Sequence, residues 1–108
     1  MTSDREVISV ATDFTRFPAG RYETDGLYSG QRFREKLLAP ALRKGGSVVV
    51  CLDGTMGFGS SFLEEAFGGL ARTAEFRPAY LLEKLELQSK DDSLIDEIRS
   101  YIEASFEH

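Results

Sequence analysis

Apolar residues recur along this 108-residue chain with the two periods that separate strands from helices. Val7-Ile8-Ser9-Val10-Ala11 is a short β-branched run entered from charged residues, and it predicts a first strand. The segment from Phe14 to Gly26 is broken by Pro18 and Gly20, and reads as a loop around a short edge strand or hairpin. Ser29 offers a helix N-cap and Phe33, Leu37 and Leu38 follow at helical spacing. A helix is therefore predicted from about 30 to about 43, bent or ended by Pro40. Gly45-Gly46 stops whatever remains. Ser47 to Leu52 is the strongest strand signal, and its near-continuous apolar character suits a strand covered on both faces.

After Asp53 the chain turns through Gly54, Gly57 and Gly59, then places apolar residues at 62, 63, 66, 67 and 70 on one helical face. Ser61 and Glu64 have capping-box spacing, so this helix is predicted to begin at Ser60 or Ser61. Leu85 and Leu87 point one way in an imperfect alternation that predicts a strand near 83–88. Asp91 or Asp92 caps a last helix on which Leu94, Ile95, Ile98, Tyr101, Ile102 and Phe106 fall within a ~140° arc. Strands alternating with helices favour right-handed crossovers between parallel strands. The expectation is a small α/β layer, a mixed and mostly parallel sheet of about four strands with three main helices, in one domain over residues 1–108.

Composition narrows the classes. Hydrophobic residues make up 42% and charged residues 29%, the balance of a folded domain of this length that needs no disulfide or metal. The longest apolar run, Val48 to Leu52, is far short of the ~20 residues that span a bilayer. Residues 1–6 carry no basic segment followed by an apolar stretch, so no leader peptide is expected. Cys51, the only cysteine, lies inside the apolar run and reads as a small core residue. A reducing cytoplasm is the expected compartment. The net charge of −5 divides into +2 over residues 1–45, −2 over 46–82 and −5 over 83–108. An acidic last helix repels phosphates and no basic stripe interleaves with aromatics, so neither nucleic acid nor membrane is expected as a partner.

Candidate chemistry gathers at the turn Thr55-Met56-Gly57-Phe58-Gly59-Ser60-Ser61, between the best strand and the best helix. In open α/β sheets ligands collect at that end, and a helix start presents free amides with about half a positive charge. The turn suits an anion, or a phosphate carried by a serine; alternatively its glycines only make a tight turn and its serines only cap. The phosphate-loop spacing is absent, and Phe62 stands where a dinucleotide fingerprint needs its third glycine. Arg21 and Arg34 are candidates for an anion clamp through bidentate contacts, with solvated surface charge as the simpler fate. Met56 and Phe58 read as exposed apolar contacts, with core packing an equal reading for Phe58. One histidine, His108 at the last position, with one core cysteine supplies no metal set, and Ser60 and Ser61 lack a nearby base for nucleophilic catalysis. No catalytic residue and no cofactor is expected.

The stretch from Val48 to Phe67, with Ala19-Gly20-Arg21 and Ser29-Gly30-Gln31-Arg32-Phe33-Arg34, resembles the strand, loop and helix of STAS domains, the fold of anti-sigma-factor antagonists. More closely it is similar to bacterial STAS-like domains of unknown function. In STAS antagonists the helix start reads Asp-Ser-Ser/Thr-Gly-Leu, and its first hydroxyl is phosphorylated by a partner kinase. The resemblance implies Ser60 as phosphoacceptor beside Ser61, with Gly59 where that pattern has aspartate and Phe62 where it has glycine. It also implies a regulatory, non-catalytic module that binds a histidine-kinase-like ATPase or anti-sigma-type regulator through residues 55–67. The alternative is a small-molecule sensor holding a nucleotide or other anion at Gly57 to Ser61.

Overall fold

β-branched Val48-Val49-Val50 favours an extended backbone whose side chains need cover, and it lies at the centre of the sheet. In the computed structural model, which describes residues 5–106, three strands pair in parallel: β1 (Glu6–Ser9), β2 (Val48–Cys51) and β3 (Leu85–Gln88), in that spatial order. The expectations attached to residues 1–4, to the Phe106 side chain and to His108 lie outside the described residues and side chains. Four helices follow: α1, built from Gly30–Phe33, Arg34–Leu38 and Ala39–Arg43; α2, from Ser60–Leu63, Glu64–Gly68 and Gly69–Arg72; α3, Pro78–Lys84; and α4, Asp92–Phe106. The middle pieces of α1 and α2 are π-helical turns, each wider than the α-helix around it.

Both crossovers step in the same direction across the sheet, and right-handed connections of that kind bring their helices to the same face. Ile8, Val48, Val50 and Leu85 accordingly join Phe33, Phe62, Phe67, Ile98 and Ile102 in one buried cluster. Phe33 is its hub, with ring centroids 5.1 Å from Phe14, 6.0 Å from Phe62 and 6.3 Å from Phe67. On the opposite face Val7 and Glu86 flank Val49 in the register and are exposed. Val48, Val49 and Val50 are each no more than 1% exposed, so β2 is covered on both faces as expected; the helices pack on the face of Val48 and Val50, and Val49 is buried outside the main cluster.

Several element boundaries differ from the sequence expectation for local reasons. β1 ends at Ser9 rather than Ala11, because the Ser9 hydroxyl accepts from the Thr12 amide (3.3 Å) while Asp13 accepts from the Ser9 amide (2.8 Å). That reciprocal cap starts the π-helical turn Val10–Phe14. No strand forms between Phe14 and Gly26. The Asp25 carboxylate instead accepts the Arg21 and Tyr22 amides (3.1 and 2.9 Å) around a 3₁₀ turn at Glu23–Asp25, withdrawing them from any ladder. The described sheet therefore has three strands rather than about four, all parallel. α1 also runs through Pro40 to Arg43. Proline follows the widened turn, where the Ala39 amide has already slipped back to the Arg34 carbonyl, so the ring meets a ladder that is opened there. Helix α3 was not foreseen; Pro78 in its first turn starts it without needing an amide donor, and Leu81 anchors it in the core.

Candidate functional site

The ladder continues past β2, with the Leu52 amide donating to the Gln88 carbonyl at 2.8 Å, and the loop that follows rises at the carboxyl end of the sheet. Gly57 takes φ +120°, a backbone region closed to most side chains, and lets the chain reverse toward α2. Met56 donates its amide to the Arg16 carbonyl at 2.8 Å and leaves its side chain 70% exposed. Phe58 turns the other way, half-buried against the core with its ring 5.8 Å from that of Phe62. The loop therefore divides: Met56 outward, Phe58 inward.

Gly59 is the N-cap of α2, extended at φ −76° and ψ 149°, and has no side chain to close the first turn. Ser60 and Ser61 are exposed, and among the described residues no hydrogen bond engages either hydroxyl. The capping box expected of Ser61 and Glu64 does not form. Glu64 is claimed by two guanidiniums instead, its Oε1 by Arg21 and its Oε2 by Arg72. An ion pair with two arginines outweighs one backbone amide as a partner for a carboxylate.

Glu65 carries the contact inward. Its carboxylate accepts from Arg34 Nη1 at 2.6 Å and from Arg72 Nη2 at 3.1 Å, with Arg21 Nη1 at 3.5 Å. Arg34 Nη1 also donates to the Glu65 carbonyl at 2.7 Å, serving an acceptor inside the π-helical turn where the helical ladder has slipped. The Arg34 and Glu65 side chains are only 9% and 8% exposed, whereas Arg21 is 32% exposed. Glu35, on the surface, approaches Arg34 Nη2 at 3.5 Å. Three guanidiniums thus converge on the adjacent carboxylates of Glu64 and Glu65. Burial pushes the Glu64 carboxyl up, but the guanidiniums of Arg72 and Arg21 prevail and hold it below the usual range; the same bonds raise Arg21 and Arg72.

Glycine makes this convergence possible. A Cβ on Gly30 would lie 2.4 Å from the Phe62 carbonyl oxygen, and one on Gly69 would lie 2.2 Å from Arg34 Nη1. The start of α1 therefore crosses α2 at backbone contact. The Gly30 and Gln31 amides donate to the carbonyls of Gly20 and Arg21 (both 3.0 Å), fixing the Arg21 segment over the first turn of α2. Arg21 and Arg34 are thus brought together by the fold, although their charge is met by the chain's own carboxylates. Sequence reasoning missed Glu64, Glu65 and Arg72 as their partners. The signal was present, since Arg34 lies four residues before Leu38 on the buried side of α1 and Glu65 three residues after Phe62 on that of α2.

Beside the loop a cavity of about 450 Å³ opens between the carboxyl ends of β2 and β3, with Gly57 and Phe58 on its wall. Asp53, Asp91 and Glu97 face it against Lys90 alone. Glu97 accepts the Tyr101 hydroxyl at 2.5 Å; that bond, with burial, pushes the phenol up to about 12. Among the described residues no group of His, Cys, Asp and Glu is placed to hold a metal ion, and no helix is long and apolar enough to cross a membrane.

The α1–β2–loop–α2 unit just described is also where similarity to known proteins lies. A family described as a STAS-like domain of unknown function (DUF4325) matches residues 29–94, more than half of the chain. The chain belongs to this STAS-like family. The matched span opens at the Ser29 cap of α1 and closes in the first turn of α4, so Arg34, Glu64, Glu65 and Arg72 are within it and Arg21 is outside. No curated protein and no solved structure matches the chain.

Proposed function

We propose that this STAS-like chain is a non-catalytic regulatory module that binds a protein partner through residues 55–67, and that phosphorylation of Ser60 switches the binding. A single observation carries the reading: two serine hydroxyls with no hydrogen-bond partner among the described residues stand exposed at an uncapped helix start, beside the outward Met56. An exposed methionine is a flexible apolar contact suited to a partner surface. A histidine-kinase-like ATPase or anti-sigma-type regulator fits the STAS likeness. In the switching step Ser60 Oγ takes the γ-phosphoryl group of ATP, releasing ADP and a proton. The added −1.5 to −2 charges suit the helix start and repel an acidic surface docked there.

An anion-sensor reading draws less support, because the cavity beside Gly57 presents three carboxylates to one lysine and Arg21 and Arg34 are already paired. The test is titration calorimetry against ATPases of that class, with Ser60→Glu and Met56→Ser beside the native chain. The native chain binds and both variants lose affinity by tenfold or more, about 1.4 kcal/mol. Met56→Ser keeps its stability to within about 0.5 kcal/mol, as an exposed substitution should. Absence of binding across such partners, or equal binding by all three proteins, rejects the reading.

A further inference from the structure

We infer that the partner surface reaches from Met56 across Phe17, Leu27 and Tyr28, and that it takes an acidic protein segment with apolar side chains, held at its carboxylates by Arg16 and Arg32. This rests on the binding reading above, which it deepens.

Main-chain bonds bring these residues together from three stretches of the chain. The Met56 amide donates to the Arg16 carbonyl at 2.8 Å, next to Phe17, and the Ala19 amide donates to the Tyr28 carbonyl at 3.1 Å, next to Leu27. Of the six large apolar side chains exposed among the described residues, four therefore stand in one region, with Phe17 64% and Leu27 66% exposed. Exposed apolar side chains scattered singly are ordinary, whereas a gathered set marks a contact surface. The chain beneath them is fixed. The Phe17 amide donates to the Thr15 hydroxyl at 3.0 Å, between buried Thr15 and buried Pro18, and the Tyr28 ring meets that of Phe14 edge-on at 5.6 Å. Aromatic side chains held in this way lose little freedom when a partner docks.

Charge names the occupant. Arg16 is exposed and Arg32 half-buried, with the Arg32 amide bonded to the Ser29 hydroxyl beside Tyr28, and among the described residues neither guanidinium has an ion pair. Between residues 10 and 32 the carboxylates are mostly spent on the chain itself: Asp13 accepts the Ser9 amide at 2.8 Å and Asp25 those of Arg21 and Tyr22, leaving Glu23. An arginine without an internal acid is available for a bidentate bond to a partner's carboxylate. The surface lies on the β1 side of the loop, where a Cβ on Gly54 would stand 3.1 Å from that of Ala11. The cavity faced by Asp53, Asp91 and Glu97 opens on the β3 side. A narrow acidic segment can thus lie clear of those carboxylates, whereas a broad anionic lipid surface would meet them.

The probe is a synthetic peptide of glutamate, leucine and phenylalanine, set beside a counterpart with lysine in place of glutamate. Amide spectra of the native chain shift at Phe17, Leu27, Tyr28 and Met56 with the acidic peptide and not with the basic one, and the affinity falls as salt is added. Phe17→Ser and Arg16→Glu each weaken binding by roughly tenfold or more. Both sites are exposed, so both variants keep the urea midpoint of the native chain. Equal binding of the two peptides, shifts confined to other residues, or unchanged affinity in both variants overturns the inference. So does tighter binding to vesicles of phosphatidylserine and phosphatidylcholine than to the acidic peptide, or self-association of the chain through these residues. Should either variant unfold, the shifts of the native chain decide alone. Calorimetry against the ATPases separates the two readings. Native binding that Phe17→Ser and Arg16→Glu leave intact removes this inference and keeps the reading above; a peptide seated here with no ATPase bound removes that partner class and keeps the surface.

Discussion

Gly30 shows how one missing methyl group can set the distance between two helices. Its place in the first turn of α1 lets the backbone meet the Phe62 carbonyl, and across the same helix contact Arg34 bonds Glu65. Gly30→Ala forces a Cβ to within 2.4 Å of a main-chain oxygen that no rotamer change can clear. The helices must separate, and the expected loss is about 3 kcal/mol, at the upper end for an overpacked contact. A urea midpoint no lower than that of the native protein would contradict the claimed contact. The buried charges make the loss steeper than packing alone suggests, because a carboxylate held away from water depends on its arginine.

At the scale of elements, the end of α2 carries a conformation its sequence does not suit. Ala74 sits at φ +66°, donating its amide to the Ala71 carbonyl at 3.0 Å, in the position where helices usually place glycine. The left-handed conformation costs alanine about 1 kcal/mol, and glycine returns about half of that in chain entropy. Ala74→Gly is therefore expected to stabilise the protein by about 0.5 kcal/mol, read as a rise in urea midpoint at unchanged slope; destabilisation would mean that the strain is met by contacts of the methyl group. α1 and α2 themselves share a device: each widens into a π-helical turn, and Arg34 donates to a carbonyl within the widened turn of α2.

The whole molecule gains acid sensitivity from three carboxylates, one of them in the arginine cluster. Glu64, Glu75 and Asp91 are all held below the usual carboxylate range: Glu64 by arginines that overcome its burial, Glu75 by Arg43, and Asp91 by the Ser93 hydroxyl. A carboxyl lowered by folding contributes stability that is fully present above its unfolded value, near pH ~4.3 for glutamate, and is lost as pH falls through the folded value. Stability should thus hold from neutral pH to about 5 and decline below about 4, where the unfolded chain binds protons more readily. Glu64→Gln lowers stability at neutral pH and flattens that decline, as urea midpoints from pH 6 to pH 3 would register. An acid limb as steep in the variant as in the native chain would assign the sensitivity elsewhere.

What was legible in the sequence is what short-range chemistry determines. The Ser29 cap, the β-branched core strand, the apolar faces of α2 and α4 and the glycine turn at residues 54–59 each follow from neighbours a few positions apart, and so the α/β class and the STAS likeness could be read directly. Tertiary structure decided the rest, because its causes lie far apart in the chain. Which carboxylates meet Arg21 and Arg34 depends on contacts 31 to 44 residues away, and Glu64 was drawn from a local cap to Arg21 and Arg72. Likewise the helices gather on one face of the sheet because both crossovers step the same way, a property of the path of the chain that no single segment encodes.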